Sequence, residues 1–217
     1  MDWKELADLI KARRSIRAFQ DKAVPEQVLL KALELATWAP NGGNHQAWRF
    51  LIVSNKELIG KMADAVKAKT ELMLSWPEAA QFSEVAERWR KNVDFFRAAP
   101  VCVAVLMGKY VSVADQILRA RGEKDPAAEE IRSWRRLAST SLQGVGGAIA
   151  YFLLIVHHLG LAATWMGGPQ QAKREIEQLL GVPPEWDFVA LIPVGYPAEP
   201  PRTSTRKPIG EVVEFRR

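Results

Sequence analysis

The sequence predicts an α/β or α+β sandwich in which long helices surround a few apolar strands. Helix-spaced apolar residues alternate with short apolar runs along the chain, which is the pattern of packed helix and sheet layers. A 217-residue chain that is 48% hydrophobic and 25% charged is also long enough to bury one full core. No internal repeat, linker or low-complexity tract divides it, so one domain over residues 1–217 is expected.

Asp2 with Glu5 forms an acidic capping box, and Trp3, Leu6, Ala7, Leu9 and Ile10 recur at helical spacing, predicting a first helix to about Arg14. Pro25 opens a second helix carrying Val28, Leu29, Leu33 and Ala36 on one face, and Pro40 closes it. Trp48 to Val53 reads as a strand, followed by a helix from about Asn55 to Lys69. Residues 71–98, with Pro77 inside and Trp76, Phe82, Trp89, Phe95 and Phe96 scattered through, predict irregular helix. Val101 to Met107 is a continuous Val-rich run, the pattern of a buried strand. Helices are expected over about 112–121 and 126–158, the second bending or breaking near the glycines at 144–147. Leu161 to Met166 and Asp187 to Tyr196 complete the strands, and a helix from Lys173 to Leu180 stops at Gly181.

Composition excludes several classes. The formal net charge is +5, from 30 Lys+Arg against 25 Asp+Glu. Residues 1–20 hold five basic and three acidic side chains, residues 202–217 five and two, and residues 21–201 twenty of each. All of the excess therefore sits at the two ends, which points to a local anion site rather than a nucleic-acid surface. The single Cys102 excludes an internal disulfide and a Cys-rich metal site. The apolar run Leu142 to Val156 falls short of the roughly 20 residues that span a bilayer and reads as a buried core helix. The acidic N-terminus does not read as an export signal, so a cytoplasmic location is expected, with no membrane or nucleic-acid partner. No His-Glu-x-x-His, Cys-x-x-Cys, Gly-x-Ser-x-Gly or phosphate-loop motif occurs.

Four clusters could carry chemistry. Arg13-Arg14-Ser15-Ile16-Arg17-Ala18-Phe19 crowds three guanidinium groups and a hydroxyl, donors that suit a phosphate monoester, although a solvated helix end has the same composition. Pro40-Asn41-Gly42-Gly43-Asn44-His45-Gln46 offers close backbone approach and amide groups for a flat heteroaromatic edge, or an ordinary turn into a strand. Trp165-Met166-Gly167-Gly168 ends a strand in glycines able to present backbone N–H groups, or simply connects strand to helix. Arg202 to Pro208, with Arg206 and Lys207, is basic and hydroxyl-rich and would also suit a solvated tail. The pair His157-His158 ends a helix, where donors to free carbonyls are favoured.

Read together and in this order, the clusters resemble the nitroreductase family of flavin enzymes. The Arg-Arg-Ser-Ile-Arg-Ala-Phe segment lies about 20 residues before Ala-Pro-Asn-Gly-Gly-Asn-His-Gln-Ala-Trp-Arg-Phe at 39–50. Residues 148–161 resemble the family's central helix, and Trp165 to Gly168, Leu180 to Pro183, Pro193 to Pro197 and Arg206 to Val213 follow in register. The resemblance implies an α+β three-layer sandwich, with a central, mostly antiparallel sheet flanked by helices, in an obligate homodimer that binds FMN at the subunit interface. It implies that Arg13, Arg14, Ser15 and Arg17, with Arg206, hold the phosphate, ribityl chain and pyrimidine edge. Pro40, Asn41, Gly42, Asn44 and Gln46 would reach the same flavin from the partner, and Met166, Gly167 and Gly168 would lie beside its ring. Asn41, Ala47, Tyr151 and Ser204 depart from residues common in the family, which loosens the pattern at those places.

The resemblance also implies a hydride taken from NAD(P)H and delivered, by a ping-pong mechanism, to nitroaromatic, quinone or similar electron-poor acceptors. No side chain is expected to act as a catalytic acid, base or nucleophile, and no metal is expected. Residues 70–125 are expected to form either a lid or core. Two alternatives share the cofactor: a specialised member such as a reductive dehalogenase or flavin-fragmenting enzyme, and a non-enzymatic FMN-binding protein.

Overall fold

The Asp2 carboxylate accepts the Glu5 N–H at 2.8 Å and Glu5 accepts the Asp2 N–H at 2.7 Å, which starts α1 (Trp3–Ala12). A computed structural model describes residues 2–217. The remaining helices are α2 (Glu26–Ala36), α3 (Lys56–Leu74), α4 (Ser83–Asn92), α5 (Val113–Arg121), α6 (Pro126–Leu137), α7 (Thr140–His158) and α8 (Lys173–Leu180). The strands are β1 (Trp48–Val53), β2 (Val101–Gly108), β3 (Ala162–Ala163) and β4 (Trp186–Gly195), in the spatial order β1-β2-β4-β3 and antiparallel at every step.

Strand periodicity explains the layers. Val101, Val103 and Val105 of β2 face α2 and α7, joining Leu29, Leu33, Ile149, Phe152 and Val156. Cys102, Ala104 and Leu106 face the other way, against Ile59, Met62 and Val66 of α3 and Ile176 of α8. A bulge in the β2–β4 pairing between Val105 and Leu106 lets Phe188 and Leu191, three positions apart, enter the same core. The sequence-predicted three-layer arrangement of helices around an antiparallel sheet is therefore the one observed.

Four boundaries differ from the sequence reading. α1 ends at Ala12 rather than Arg14 because Arg13 turns extended, ψ 128°, and the chain leaves the helix to run along the sheet. α3 continues past Lys69 to Leu74 before Pro77 starts a 3₁₀ segment, Pro77–Phe82; α4 and a second 3₁₀ segment, Phe95–Ala98, complete the irregular stretch. The expected strand 161–166 is only two residues long, with Met166 forming a separate bridge to Leu191. The long helix 126–158 does break, but at Ala138–Ser139, where Ser139 caps α7 by accepting the Leu142 N–H at 3.3 Å. The glycines lie inside α7 and serve close packing: a Cβ on Gly144 would come within 3.0 Å of the Asn41 Cβ. They make room for the 39–42 segment instead of ending the helix.

α7 explains the apolar run that invited a membrane reading. Val145, Ala148, Ile149, Phe152, Leu153 and Val156 are buried against the sheet and α2. Phe152 has no exposed surface. Its replacement by Ala should destabilise the fold by about 3–5 kcal/mol, the usual cost of removing a buried Phe, read as a lowered midpoint in urea denaturation.

Candidate functional site

The 13–20 segment is strung between the sheet and the chain's C-terminal segment. Ser15 pairs in parallel with Ala163, the Ile16 N–H donates to the Ala163 carbonyl at 3.4 Å, and the buried Thr164 hydroxyl donates to the Ile16 carbonyl at 2.6 Å. On the other side, the Gln20 N–H reaches the Tyr196 carbonyl at 2.9 Å and the Ala198 N–H reaches the Ala18 carbonyl at 3.0 Å. The Glu199 carboxylate accepts the backbone N–H groups of Arg17 and Ala18 at 2.9 and 3.3 Å, which holds its pKa below the ordinary Glu value.

That arrangement brings Arg13, Arg14 and Arg206 to one cleft of about 680 Å³. Ala150, Leu153 and Leu154 of α7 form its apolar floor, and Trp165 and Ser204 line its sides. The three arginines divide into two kinds. Arg14 donates to the carbonyls of Lys11, Arg13 and Arg202, so it ties the end of α1 to the C-terminal segment. The Arg13 guanidinium has no ion pair or hydrogen bond among the described residues, and that of Arg206 reaches only Ser204 and Thr205. Burial first, then the like charges of Arg14 and Arg206, lower the Arg13 pKa from its ordinary value. Guanidinium groups gathered without a carboxylate form a site for an added anion.

Arg17 points elsewhere: it is exposed, with its guanidinium 5.8 Å from the centre of the Phe95 ring. Met166 is fixed by reciprocal backbone bonds to Leu191, each 3.0 Å. Beyond it, Gly167 and Gly168 are exposed, and a Cβ on either would meet nothing within 4 Å. Neither has a positive φ, so the backbone shape does not itself call for glycine, and the space over them is free for a ligand.

The second glycine-rich cluster is a strained loop. Gly43, Asn44 and Gln46 have φ of 60°, 50° and 50°, and left-handed Gln46 carries a cost of order 1–2 kcal/mol that glycine would not. Asn41 braces the turn: its Oδ1 accepts the Gln46 N–H at 2.9 Å and its Nδ2 donates to the Ala39 carbonyl at 3.3 Å. Its amide is engaged within the loop, whereas the side chains of Asn44 and Gln46 are exposed and make no hydrogen bond among the described residues. Pro40 is exposed as well, beside Gly147 of α7. A Cβ on Gly42 would come within 2.4 Å of the Thr140 side chain, so glycine is needed where the loop crosses the start of α7.

Within one chain the two clusters do not share a cleft. Asn41 and Gly42 meet α7 at Thr140 and Gly144, while Arg13 and Arg206 meet it at Ala150 to Leu154. The six residues of helix from Gly144 to Ala150 separate these contacts by about 9 Å.

Two groups need separate mention. His157 lies beside Arg13 and Arg14 in an adjoining cavity of about 220 Å³, a placement that its position at a helix end did not reveal. Burial, then the charges of Arg13, Arg14 and His158, lower its pKa below the ordinary 6.5. Cys102 is buried and its thiol is pushed up to about 12, which removes it as a nucleophile.

Comparison with known proteins gives a consistent family. Residues 10–196 match the family model described as Nitroreductase family. The chain is 28% identical over 205 residues to the iodotyrosine deiodinase of Thermotoga neapolitana, covering 91% of each protein. A crystal structure of a BluB-like flavoprotein from Clostridium difficile 630 is 28% identical, with a TM-score of 0.85 over 100% of both chains. That of oxidized iodotyrosine deiodinase bound to FMN and 3-iodo-L-tyrosine is 26% identical, with a TM-score of 0.70 over 97% of both chains.

A depressed His157 pKa makes the neutral imidazole the favoured form in the folded chain. The associated stability is present above the unfolded value of about 6.5 and is lost as pH falls through the lower folded value. Thermal midpoints measured between pH 7.5 and 5.5 should therefore fall less for His157→Gln than for the unaltered protein.

Proposed function

This chain belongs to the nitroreductase family, and from that premise we propose that it is an FMN-dependent oxidoreductase that uses NAD(P)H to reduce electron-poor aromatic acceptors. The observation that carries the proposal is the cleft holding Arg13 and Arg206 above an apolar floor, with open glycine backbone beyond Trp165. Its volume lies within the about 300–1,000 Å³ typical of small-molecule sites. The residues fit the cofactor: unpaired guanidinium groups suit a dianionic phosphate, the α7 floor and Trp165 suit an apolar ring system, and Gly167 and Gly168 leave room for its close approach.

FMN, when bound, supplies a ring that accepts two electrons with a hydride and passes them to an acceptor. Everything else falls to the chain. With Ser15, close to Arg13 in the chain, as a further donor, Arg13 and Arg206 would hold the phosphate end. Arg14, already bonded to three carbonyls, keeps the two chain ends together around it. Arg17, which rests beside Phe95 outside this cleft, would have to swing round to reach the polar edge of the ring, where its charge would favour the reduced cofactor. Met166 to Gly168 would border the ring, and Trp165 would shield it from water.

We place the remaining contacts across a homodimer. Leu6 and Leu9 of α1, Val28 and Leu35 of α2, and Tyr151, Leu154, Ile155 and Leu159 of the α7 end line an apolar groove of about 590 Å³. A second copy packed there would cover this surface and allow its Pro40, Asn44 and Gln46 to approach the cleft that the same chain's loop does not reach. Light scattering of the purified protein should give twice the 24.3 kDa chain mass, and a monomer mass would refute this arrangement.

The likeness to two iodotyrosine deiodinases favours a second reading, reductive removal of halogen from a halogenated aromatic, with the same cofactor. Anaerobic turnover separates the two. Bleaching of bound flavin by NADH or NADPH, followed by reoxidation by a nitroaromatic, supports the first, whereas reoxidation by 3-iodotyrosine with iodide release supports the second. A protein that shows no flavin absorbance after addition of FMN sinks both. Arg13→Ala and Arg206→Ala should each weaken FMN retention by about 1.5–3 kcal/mol, the cost of a lost charged hydrogen bond, measured by flavin fluorescence titration.

A further inference from the structure

A second basic cleft lies on the far side of the 41–46 loop. It has a volume of about 400 Å³ and is lined by Arg119 and Asp115 of α5, by Arg132, Arg135 and Arg136 of α6, and by the hydroxyl-bearing residues Tyr110, Ser139, Thr140 and Ser141. Two carboxylates partly balance the four guanidinium groups. Arg135 donates to Asp115 at 2.7 Å and to the Ser112 hydroxyl at 2.9 Å, holding the Asp115 pKa well below the ordinary carboxylate range. Arg132 and Arg136 share Glu129 at 2.8 and 2.5 Å. Arg119 has no ion pair or hydrogen bond among the described residues. The α5–α6 pair is thus braced by its own salt bridges, while an excess of positive charge faces the cleft.

The position of the cleft relates it to the loop. Tyr110, Thr140 and Ser141 belong both to it and to the small cavity formed with Asn41, Gly42, His45 and Gly144. The Tyr110 and His45 rings lie 4.4 Å apart, centre to centre, at that junction. A ligand anchored among the arginines would extend past Tyr110 toward the loop.

We propose that this cleft is a binding subsite for the phosphoryl groups of the nucleotide reductant, with Arg119 as its principal unpaired donor. The inference rests on the reading of the chain as a flavin oxidoreductase driven by NAD(P)H. A phosphoryl group is favoured over a lone carboxylate by the donors left after the internal pairs are made: the whole Arg119 fork, the remaining N–H groups of Arg132, Arg135 and Arg136, and the hydroxyls of Tyr110, Thr140 and Ser141 suit a group with more than two oxygens. The arginines of this cleft are distinct from the Arg13 and Arg206 pair assigned to the cofactor.

The test uses protein saturated with FMN, so that the Arg13 cleft is filled, and titrates it calorimetrically with inorganic pyrophosphate and with adenosine 2′,5′-bisphosphate. Binding that weakens by about tenfold in Arg119→Ala, and is partly restored in Arg119→Lys, is the expected result. The Arg119→Ala variant should raise KM for the nucleotide by a similar factor, with the effect falling on KM rather than kcat and with FMN retention unaltered. A larger effect on NADPH than on NADH would assign the 2′-phosphate, and an equal effect the pyrophosphate. No binding of either probe to the loaded protein, equal binding by Arg119→Ala, or a rise in KM confined to a carboxylate-bearing acceptor would overturn the proposal. Failure to take up FMN refutes the functional reading at the first step; uptake without binding of either probe refutes the subsite alone.

Discussion

Two hydrogen bonds at Ile16, one from its N–H to the Ala163 carbonyl and one to its carbonyl from the buried Thr164 hydroxyl, attach the start of the chain to the edge of the sheet. The rest of the candidate site depends on that attachment. With Ile16 fixed, the backbone from Ser15 to Gln20 follows the path of residues 196–199, and the Glu199 carboxylate closes the contact on two N–H groups. Arg13 then lies where Arg206 arrives from the other end of the chain. Thr164 is the one buried polar side chain in this junction; a valine there would leave the Ile16 carbonyl without its short bond, at a cost of about 1–3 kcal/mol.

Charge is distributed so that fold and site do not compete. The body of the chain pairs its charges on exposed helices, where each pair contributes little, typically about 0–1 kcal/mol. Arg13 and Arg206 in the first cleft and Arg119 in the second have no ion pair among the described residues. In the first, burial and then the neighbouring positive charges lower the pKa values of Arg13 and His157, and an anionic ligand would offset the charge part of that effect. The 41–46 loop holds backbone strain, in left-handed Asn44 and Gln46, which Asn41 restrains with both ends of its amide.

Much of the architecture was legible because burial follows periodicity. The Val-rich run at 101–107 and the spacing of Leu29, Leu33 and Ala36 mark their layers directly, since a strand alternates faces every residue and a helix every three to four. Gly181 marked the end of α8 and has the left-handed φ of 61° that only a residue without a Cβ adopts at little cost. The glycines at 144–147 misled, because local propensity treats glycine as a breaker whereas the fold uses it as a gap for the Asn41 and Ala39 side chains. Local sequence cannot distinguish those two uses: the partner that fills the gap is about a hundred residues away.

By itself the sequence determined most of the helices and strands, the layer that most of them face, the family pattern, and the confinement of net charge to the two ends. Those properties depend on neighbours within a few residues or on simple counts. Tertiary structure alone decided which arginines are free: Arg14 is bonded to backbone carbonyls and Arg13 is not, though they are adjacent and chemically identical. It also placed Asn41 as a brace within its loop, separated the loop from the arginine cleft by a length of α7, and gathered Arg119 with three arginines of α6 into a second basic cleft. The physical reason is that a donor's availability depends on which acceptors the fold brings within about 3 Å of it, and chain order carries no record of that distance.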